Sequence, residues 1–128
     1  MPDLSLVAPC LNEEDNVQIL LERFMAKADS SSVSVEIVFV DDGSTDLTWP
    51  RLKELVSLHP GKVALVRHGS NRGIPQSWIS GVEASSGSTV CLIDSDLQNR
   101  PESVFDLYEV LLREKTDFVR GVRKPVTR

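Results

Sequence analysis

With 128 residues and a formal charge of −5, the chain is expected to form one domain. That is long enough to bury a core but short for an enzyme holding two substrates. The acidic balance argues against a nucleic-acid binder, which needs a basic stripe against phosphates, and no apolar run reaches the ~20 residues that cross a bilayer. The start, with Asp3 and no basic segment ahead of an apolar one, does not read as a signal peptide, so a cytosolic protein is expected. Cys10 and Cys91 lack metal or redox spacing and read as reduced, packed thiols.

Leu4 to Ala8 reads as a first strand, ended by Pro9, which cannot donate to a ladder. Asn12 is the expected N-cap of a helix in which Val17, Leu20, Leu21, Phe24, Met25 and Ala28 recur at helical spacing. Val35 to Val40 is a second strand, rich in β-branched residues. It runs into Asp41-Asp42-Gly43-Ser44-Thr45-Asp46, where Gly43 permits a turn and the hydroxyls or Asp46 can cap the next helix. That helix places Leu52, Leu55 and Val56 on one face, has Pro50 in its first turn and stops at Pro60-Gly61. Val63 to Val66 is a third strand. A helix from Pro75 follows, with Trp78, Ile79 and Val82 expected to face the core.

The next stretch, Val90-Cys91-Leu92-Ile93-Asp94-Ser95-Asp96-Leu97-Gln98, is an apolar run ending in two carboxylates and an amide. Such a run reads as a strand buried on both faces, as in parallel sheets. Pro101 and Glu102 open a fourth helix with Val104, Phe105, Leu107, Tyr108, Leu111 and Leu112 on its apolar face, and Phe118-Val119 begins a last short strand. The alternation of strands and helices predicts an α/β fold with a mainly parallel sheet and flanking helices.

In such a sheet the strand ends share one edge, so Pro9 to Glu13, Asp41-Asp42 and Asp94-Ser95-Asp96 can converge on a ligand. Asp94 and Asp96 are hard oxygen donors suited to Mg²⁺ or Mn²⁺, which could neutralise a diphosphate. Glu13 and Asp42 could also merely cap the helices they precede, a role compatible with ligand binding. No Gly-x-Gly-x-x-Gly turn and no P-loop is present, so a metal is the obvious means of holding a diphosphate. A metal-dependent phosphatase-like domain is disfavoured, because no Asp follows the first strand as a nucleophile.

Three segments carry a family resemblance: Val7 to Glu14, Phe39 to Asp46 and Ile93 to Gln98. In order and interval they resemble successive motifs of family 2 glycosyltransferases, in particular the branch similar to dolichol-phosphate mannose synthase and the bacterial polyprenyl-phosphate glycosyltransferases. Pro101 and Gly121-Val122-Arg123 also fit that branch. The resemblance implies a glycosyltransferase A fold, truncated at its C-terminus, that binds a UDP- or GDP-sugar. It implies donor contacts at Pro9, Leu11, Glu13, Val40, Asp42, Ser95 and Arg123, and a metal, Mg²⁺ or Mn²⁺, at Asp94 and Asp96 with Gln98 as a further ligand. Arg123 reads equally well as a solvated arginine. Leu11 stands where the family often has tyrosine, and Ser95 where alanine is frequent.

The implied reaction moves a sugar to an acceptor, either a saccharide or a lipid phosphate such as dolichyl or undecaprenyl phosphate, at the cytoplasmic face of a membrane. Relatives continue past this point into acceptor-side and membrane-associated segments. The acceptor portion is therefore expected to be missing, and the alternative is a nucleotide-sugar-binding module without turnover. No general base is identifiable, and His59 and His68 are expected at the surface.

Overall fold

A computed structural model of the chain describes residues 1–122. Four strands, β1 (Leu4–Cys10), β2 (Val35–Asp41), β3 (Val63–Arg67) and β4 (Thr89–Leu92), alternate with four helices, α1 (Val17–Asp29), α2 (Thr48–Leu58), α3 (Ile74–Ala84) and α4 (Ser103–Arg113). The sheet is parallel throughout, in the order β3-β2-β1-β4. β1 and β2 lie inside it and are buried along their whole length, as their continuous hydrophobicity requires.

Alternation along the inner strands divides the core. Leu4, Leu6, Ala8 and Cys10 of β1, with Val35, Ile37 and Phe39 of β2, face one side. There they meet Leu20, Leu21 and Phe24 of α1, Leu52 and Leu55 of α2, and Val104 and Phe105 of α4. The Phe24 and Phe105 rings sit 5.2 Å apart, and Arg23 of α1 makes a two-pronged pair with Glu102 just ahead of α4. Val7, Val38 and Val40 face the other side, which α3 covers with Trp78 packed against them.

Several expectations are corrected. β1 runs through Pro9 to Cys10, with Pro9 in register with Val40. This is tolerated because β4 ends opposite Val7, so the missing Pro9 N–H falls where that ladder has stopped. β4 is an edge strand among the described residues and only half-buried, not a strand covered on both faces. No fifth strand forms among those residues, and Phe118 is 76 % exposed. On α3, Ile79 (51 % exposed) and Val82 point outward, and the buried positions are Ser77 and Gly81. A Cβ on Gly81 would collide with the Val7 side chain, so small residues set the close approach of α3. Apolar periodicity could not reveal a face built from small residues.

Candidate functional site

The order β3-β2-β1-β4 reverses direction at β1, where the chain crosses from β3 at one edge to β4 on the other side of β1. In open α/β sheets a ligand crevice opens at such a point, beyond the carboxyl ends of the strands. The Asp94-Ser95-Asp96 loop lies there. The Ile93 N–H donates to the Val7 carbonyl at 3.0 Å, and the buried Ser95 hydroxyl donates to the Pro9 carbonyl at 2.7 Å. Ser95 thus moors the loop to β1 and leaves the flanking Asp94 exposed and Asp96 half-buried. Leu97 follows with φ 64°, a left-handed conformation costing a branched residue about 1 kcal/mol. The Gln98 N–H closes this turn on Asp96 Oδ1 at 3.1 Å.

The donor set suits a small divalent cation. Among the described residues no cluster of three His, Cys, Asp or Glu side chains could enclose a metal, and no cation pairs with Asp94 or Asp96. Mg²⁺ needs no such cage, because it is held by one or two carboxylates with water and phosphate oxygens completing the shell. Asp94 and Asp96 are two carboxylates on one loop, donors of that kind.

Asn12 does not cap α1, which begins at Val17 after a turn. It takes φ 55°, and its Oδ1 instead accepts N–H bonds from Thr45 at 2.8 Å and Asp46 at 3.3 Å. Asn12 N–H donates to Ser44 Oγ and Glu13 N–H to Thr48 Oγ1, each at 2.9 Å, so the loops after β1 and β2 are tied together. The Glu13 carboxylate accepts from the Asn16 amide at 2.8 Å. Leu11 is exposed beside them, whereas the Val40 side chain is fully buried in the smaller core.

Asp42 is only 3 % exposed and caps no helix of its own. Its Oδ1 accepts from His68 Nδ1 and the Arg72 N–H, both at 2.8 Å, and Oδ2 accepts from the Gly73 N–H at 3.0 Å. Burial raises its pKa, but the Arg72 N–H, His68 and the Gly73 N–H outweigh burial and hold the carboxyl below its ordinary value. A carboxylate oxygen offers two acceptor positions, so Oδ1 is filled by protein donors while Oδ2 retains one.

This places His68 in the interior, against the surface role expected for it: the ring is 4 % exposed, with Nε2 2.9 Å from Ser80 Oγ. The loop His68 to Gly73 is a fourth participant that motif reasoning passed over. Its signals were present in Asn71-Arg72-Gly73 and in the rule that every parallel strand ends on the same edge. Gly43 makes the approach possible, since at φ 82° a Cβ there would lie 2.8 Å from the backbone of Ser70 and Asn71.

Asp41, wholly buried, accepts the Ser44 N–H on Oδ1 at 3.0 Å, and its Oδ2 lies 3.9 Å from Arg67 Nε. The Arg67 guanidinium stacks over Trp49 at 4.8 Å. Cys10 and Cys91 are free thiols; burial pushes Cys10 far up and Cys91 up to about 11, so neither is poised as a nucleophile. Arg123 lies outside the described residues. The structure therefore brings Pro9, Glu13, Asp42, Asp94, Ser95 and Asp96 to one sheet edge, with Leu11 and Gln98 on the same loops.

Comparison with known proteins agrees with this geometry. The chain is 34 % identical over 122 residues to the dodecaprenyl-phosphate galacturonate synthase of Rhizobium johnstonii, covering 95 % of this chain and 36 % of that protein. It is also 34 % identical over 122 residues to the dolichol-phosphate mannosyltransferase of Pyrococcus furiosus, covering 94 % of this chain and 33 % of the relative. The chain thus spans about a third of the length of these curated relatives. Among solved structures, the mannosyltransferase PcManGT of Pyrobaculum calidifontis, determined with GDP-Man and Mn²⁺, superposes with a TM-score of 0.73 at 23 % identity. The superposition covers 86 % of this chain and 32 % of that one, and it establishes a glycosyltransferase A fold. The family model for glycosyl transferase family 2 matches residues 5–127. With its motif loops gathered at the β1–β4 crevice and nearly its whole length matched, the chain belongs to glycosyl transferase family 2.

Proposed function

We propose that this chain is the donor-binding part of a glycosyltransferase that uses a nucleotide-diphosphate sugar, UDP- or GDP-linked, and delivers the sugar to a polyprenyl phosphate. The observation that carries this reading is the Ser95 hydroxyl bond to the Pro9 carbonyl, which sets two carboxylates at the switch-point crevice beside the loops holding Glu13 and Asp42. The lipid-phosphate acceptor is supported by the two curated relatives, which are named for dodecaprenyl phosphate and dolichol phosphate.

In this proposal the loops after β1 and β2 receive the nucleoside, with the remaining acceptor position of Asp42 Oδ2 meeting an N–H or O–H of the ligand. Asp94 and Asp96, with Gln98, would hold Mg²⁺ or Mn²⁺ beside the diphosphate. When bound, that ion supplies Lewis-acid stabilisation of the charge on the departing diphosphate. Asp96 is oriented by the Gln98 N–H and the loop is fixed by Ser95, so little reorganisation is needed at the moment of reaction. A phosphate acceptor is already ionised, so no side chain need take a proton from it.

Calorimetry of UDP and GDP with this chain in Mn²⁺, in Mg²⁺ and in EDTA tests the reading. Binding should depend on the ion, and equal affinity in all three conditions would remove the metal role. Incubation with labelled nucleotide sugars and a polyprenyl phosphate, scoring glycolipid and free sugar separately, distinguishes the donor part from a complete transferase. The acceptor must be held at near-attack distance, an effect worth up to about 7–11 kcal/mol, so poor transfer with retained donor binding is expected. Rapid glycolipid formation would show that this chain suffices.

A further inference from the structure

We infer that His68 is the positioning residue of the nucleoside side of the site: its ring, anchored to Ser80 of α3, fixes the carboxylate of Asp42 in its binding orientation. The inference rests on the donor-binding reading above and adds a residue that its motifs do not contain. Its basis is a chain of contacts running from the helix to the strand end. His68 Nδ1 lies 2.8 Å from Asp42 Oδ1, and Nε2 lies 2.9 Å from Ser80 Oγ. A carboxylate only accepts, so a proton on Nδ1 lies between His68 and Asp42. Both ring nitrogens are therefore engaged, which leaves the imidazole one orientation. The His68 N–H further donates to the Asp41 carbonyl at 2.8 Å, so the backbone carrying the ring is locked to β2.

The consequence for Asp42 is directional. With Oδ1 filled by His68 and the Arg72 N–H, the carboxylate cannot rotate without breaking a buried charged hydrogen bond, and Oδ2 stays on the Gly73 N–H. Loss of the His68 ring would leave backbone donors alone to hold Asp42, on a loop that contains Gly69 and Gly73.

The connectivity of carboxylate, imidazole and hydroxyl is also that of a hydrolase triad, and the surroundings argue against that use. Ser80 sits in the interior of α3, where the backbone N–H groups are consumed by the helix and none remains to stabilise an oxyanion. The imidazole therefore has a carboxylate to orient and no nucleophile to activate.

Three substitutions separate positioning from a merely structural contribution. His68→Asn sets an amide N–H where Nδ1 stands and drops the bond to Ser80. His68→Gln reaches towards Ser80 and drops the bond to Asp42. His68→Ala removes both. Affinity for UDP and GDP is measured by calorimetry with saturating Mn²⁺, at a temperature where thermal melts show every variant folded, alongside the apparent Mn²⁺ affinity. His68→Ala and His68→Gln should weaken nucleotide binding about tenfold, the effect of losing one charged hydrogen bond. His68→Asn should restore most of it, and the Mn²⁺ affinity should not follow. If His68→Gln binds as well as or better than His68→Asn, or if affinity tracks melting temperature across all three, positioning is overturned. Should His68→Ala not fold, the Asn and Gln variants carry the comparison alone. A parent protein that binds neither nucleotide would overturn the donor-site reading and this inference with it. A parent that binds while all three variants match it would overturn this inference only.

Discussion

Buried carboxylates lie at both ends of β2, and Glu36 at one end is used differently from Asp42 at the other. Glu36, next to the first residue of the strand, accepts from the Ser5 hydroxyl at 2.5 Å, the Ser86 N–H at 2.6 Å and the Ser86 hydroxyl at 2.8 Å, and Ser5 in turn accepts from the Gly87 N–H. It bolts β1, β2 and the turn before β4 together at the edge away from the crevice. Asp42, just past the other end, is held by the loop after β3 at the edge where the candidate site lies. Both are depressed in pKa by the same opposition: burial raises each, and donated hydrogen bonds more than offset it. One physical device thus holds both carboxylates: Glu36 fastens the edge away from the crevice through Oε2, whereas Asp42 takes donors on both oxygens at the edge where the candidate site lies.

Breaking the fastening should have the largest effect. Glu36→Ala leaves the Ser5 and Ser86 donors unmatched and should cost about 2–3 kcal/mol in chemical denaturation. Nucleotide affinity of the folded protein should change less than about twofold, because additivity holds for sites far apart. A parallel loss of nucleotide binding would show that the two ends of β2 are coupled.

At the other end the order of effects should invert. Asp42→Ala is expected to weaken UDP and GDP binding about tenfold even with saturating Mn²⁺, since one charged hydrogen bond is worth about 1.5–3 kcal/mol. It should also lower stability by releasing the loop from His68 to Gly73. Asp94→Ala, at an exposed position, should move the apparent metal affinity while stability stays within about 0.5 kcal/mol. If Asp42→Ala is less stable but binds nucleotide normally, Asp42 is a fastening like Glu36.

The smallest effect sharpens the shared physics. Because both folded-state values lie below the ordinary 4.5 of Glu36 and 3.8 of Asp42, the native state binds fewer protons than the unfolded chain in acid. Their stabilisation is fully present above those ordinary values and is lost as pH falls through the lower folded ones. Glu36→Gln keeps an acceptor but cannot titrate, so its acid-unfolding curve should fall less steeply below about pH 4.5 than that of the parent. An unchanged acid limb would show that the Glu36 carboxyl contributes no linkage.

Local pattern was sufficient for much of the molecule. The inner strands announce themselves as continuous β-branched runs because both of their faces are buried, and α1 is legible in its apolar spacing because one face meets a thick core. The carboxylates at the ends of apolar runs, together with the parallel-sheet rule, point to the shared edge and to Asp94 and Asp96. Those properties depend only on residues near one another in the chain.

Other features required the tertiary structure, because they depend on which strand lies beside which. The composition of β4 suits a strand covered on both faces, yet the order β3-β2-β1-β4 leaves it at an edge among the described residues. Pro9 remains within β1 because its neighbour has already ended, a fact of register and not of proline chemistry alone. Asn12, a plausible cap by sequence, is drawn instead to the N–H groups of Thr45 and Asp46. Above all, His68 is an isolated histidine after a short strand, with nothing beside it in the chain to mark it. Its partners lie 26 residues before it and 12 after it, and only the packing of α3 beside β2 brings Asp42 and Ser80 to its two ring nitrogens.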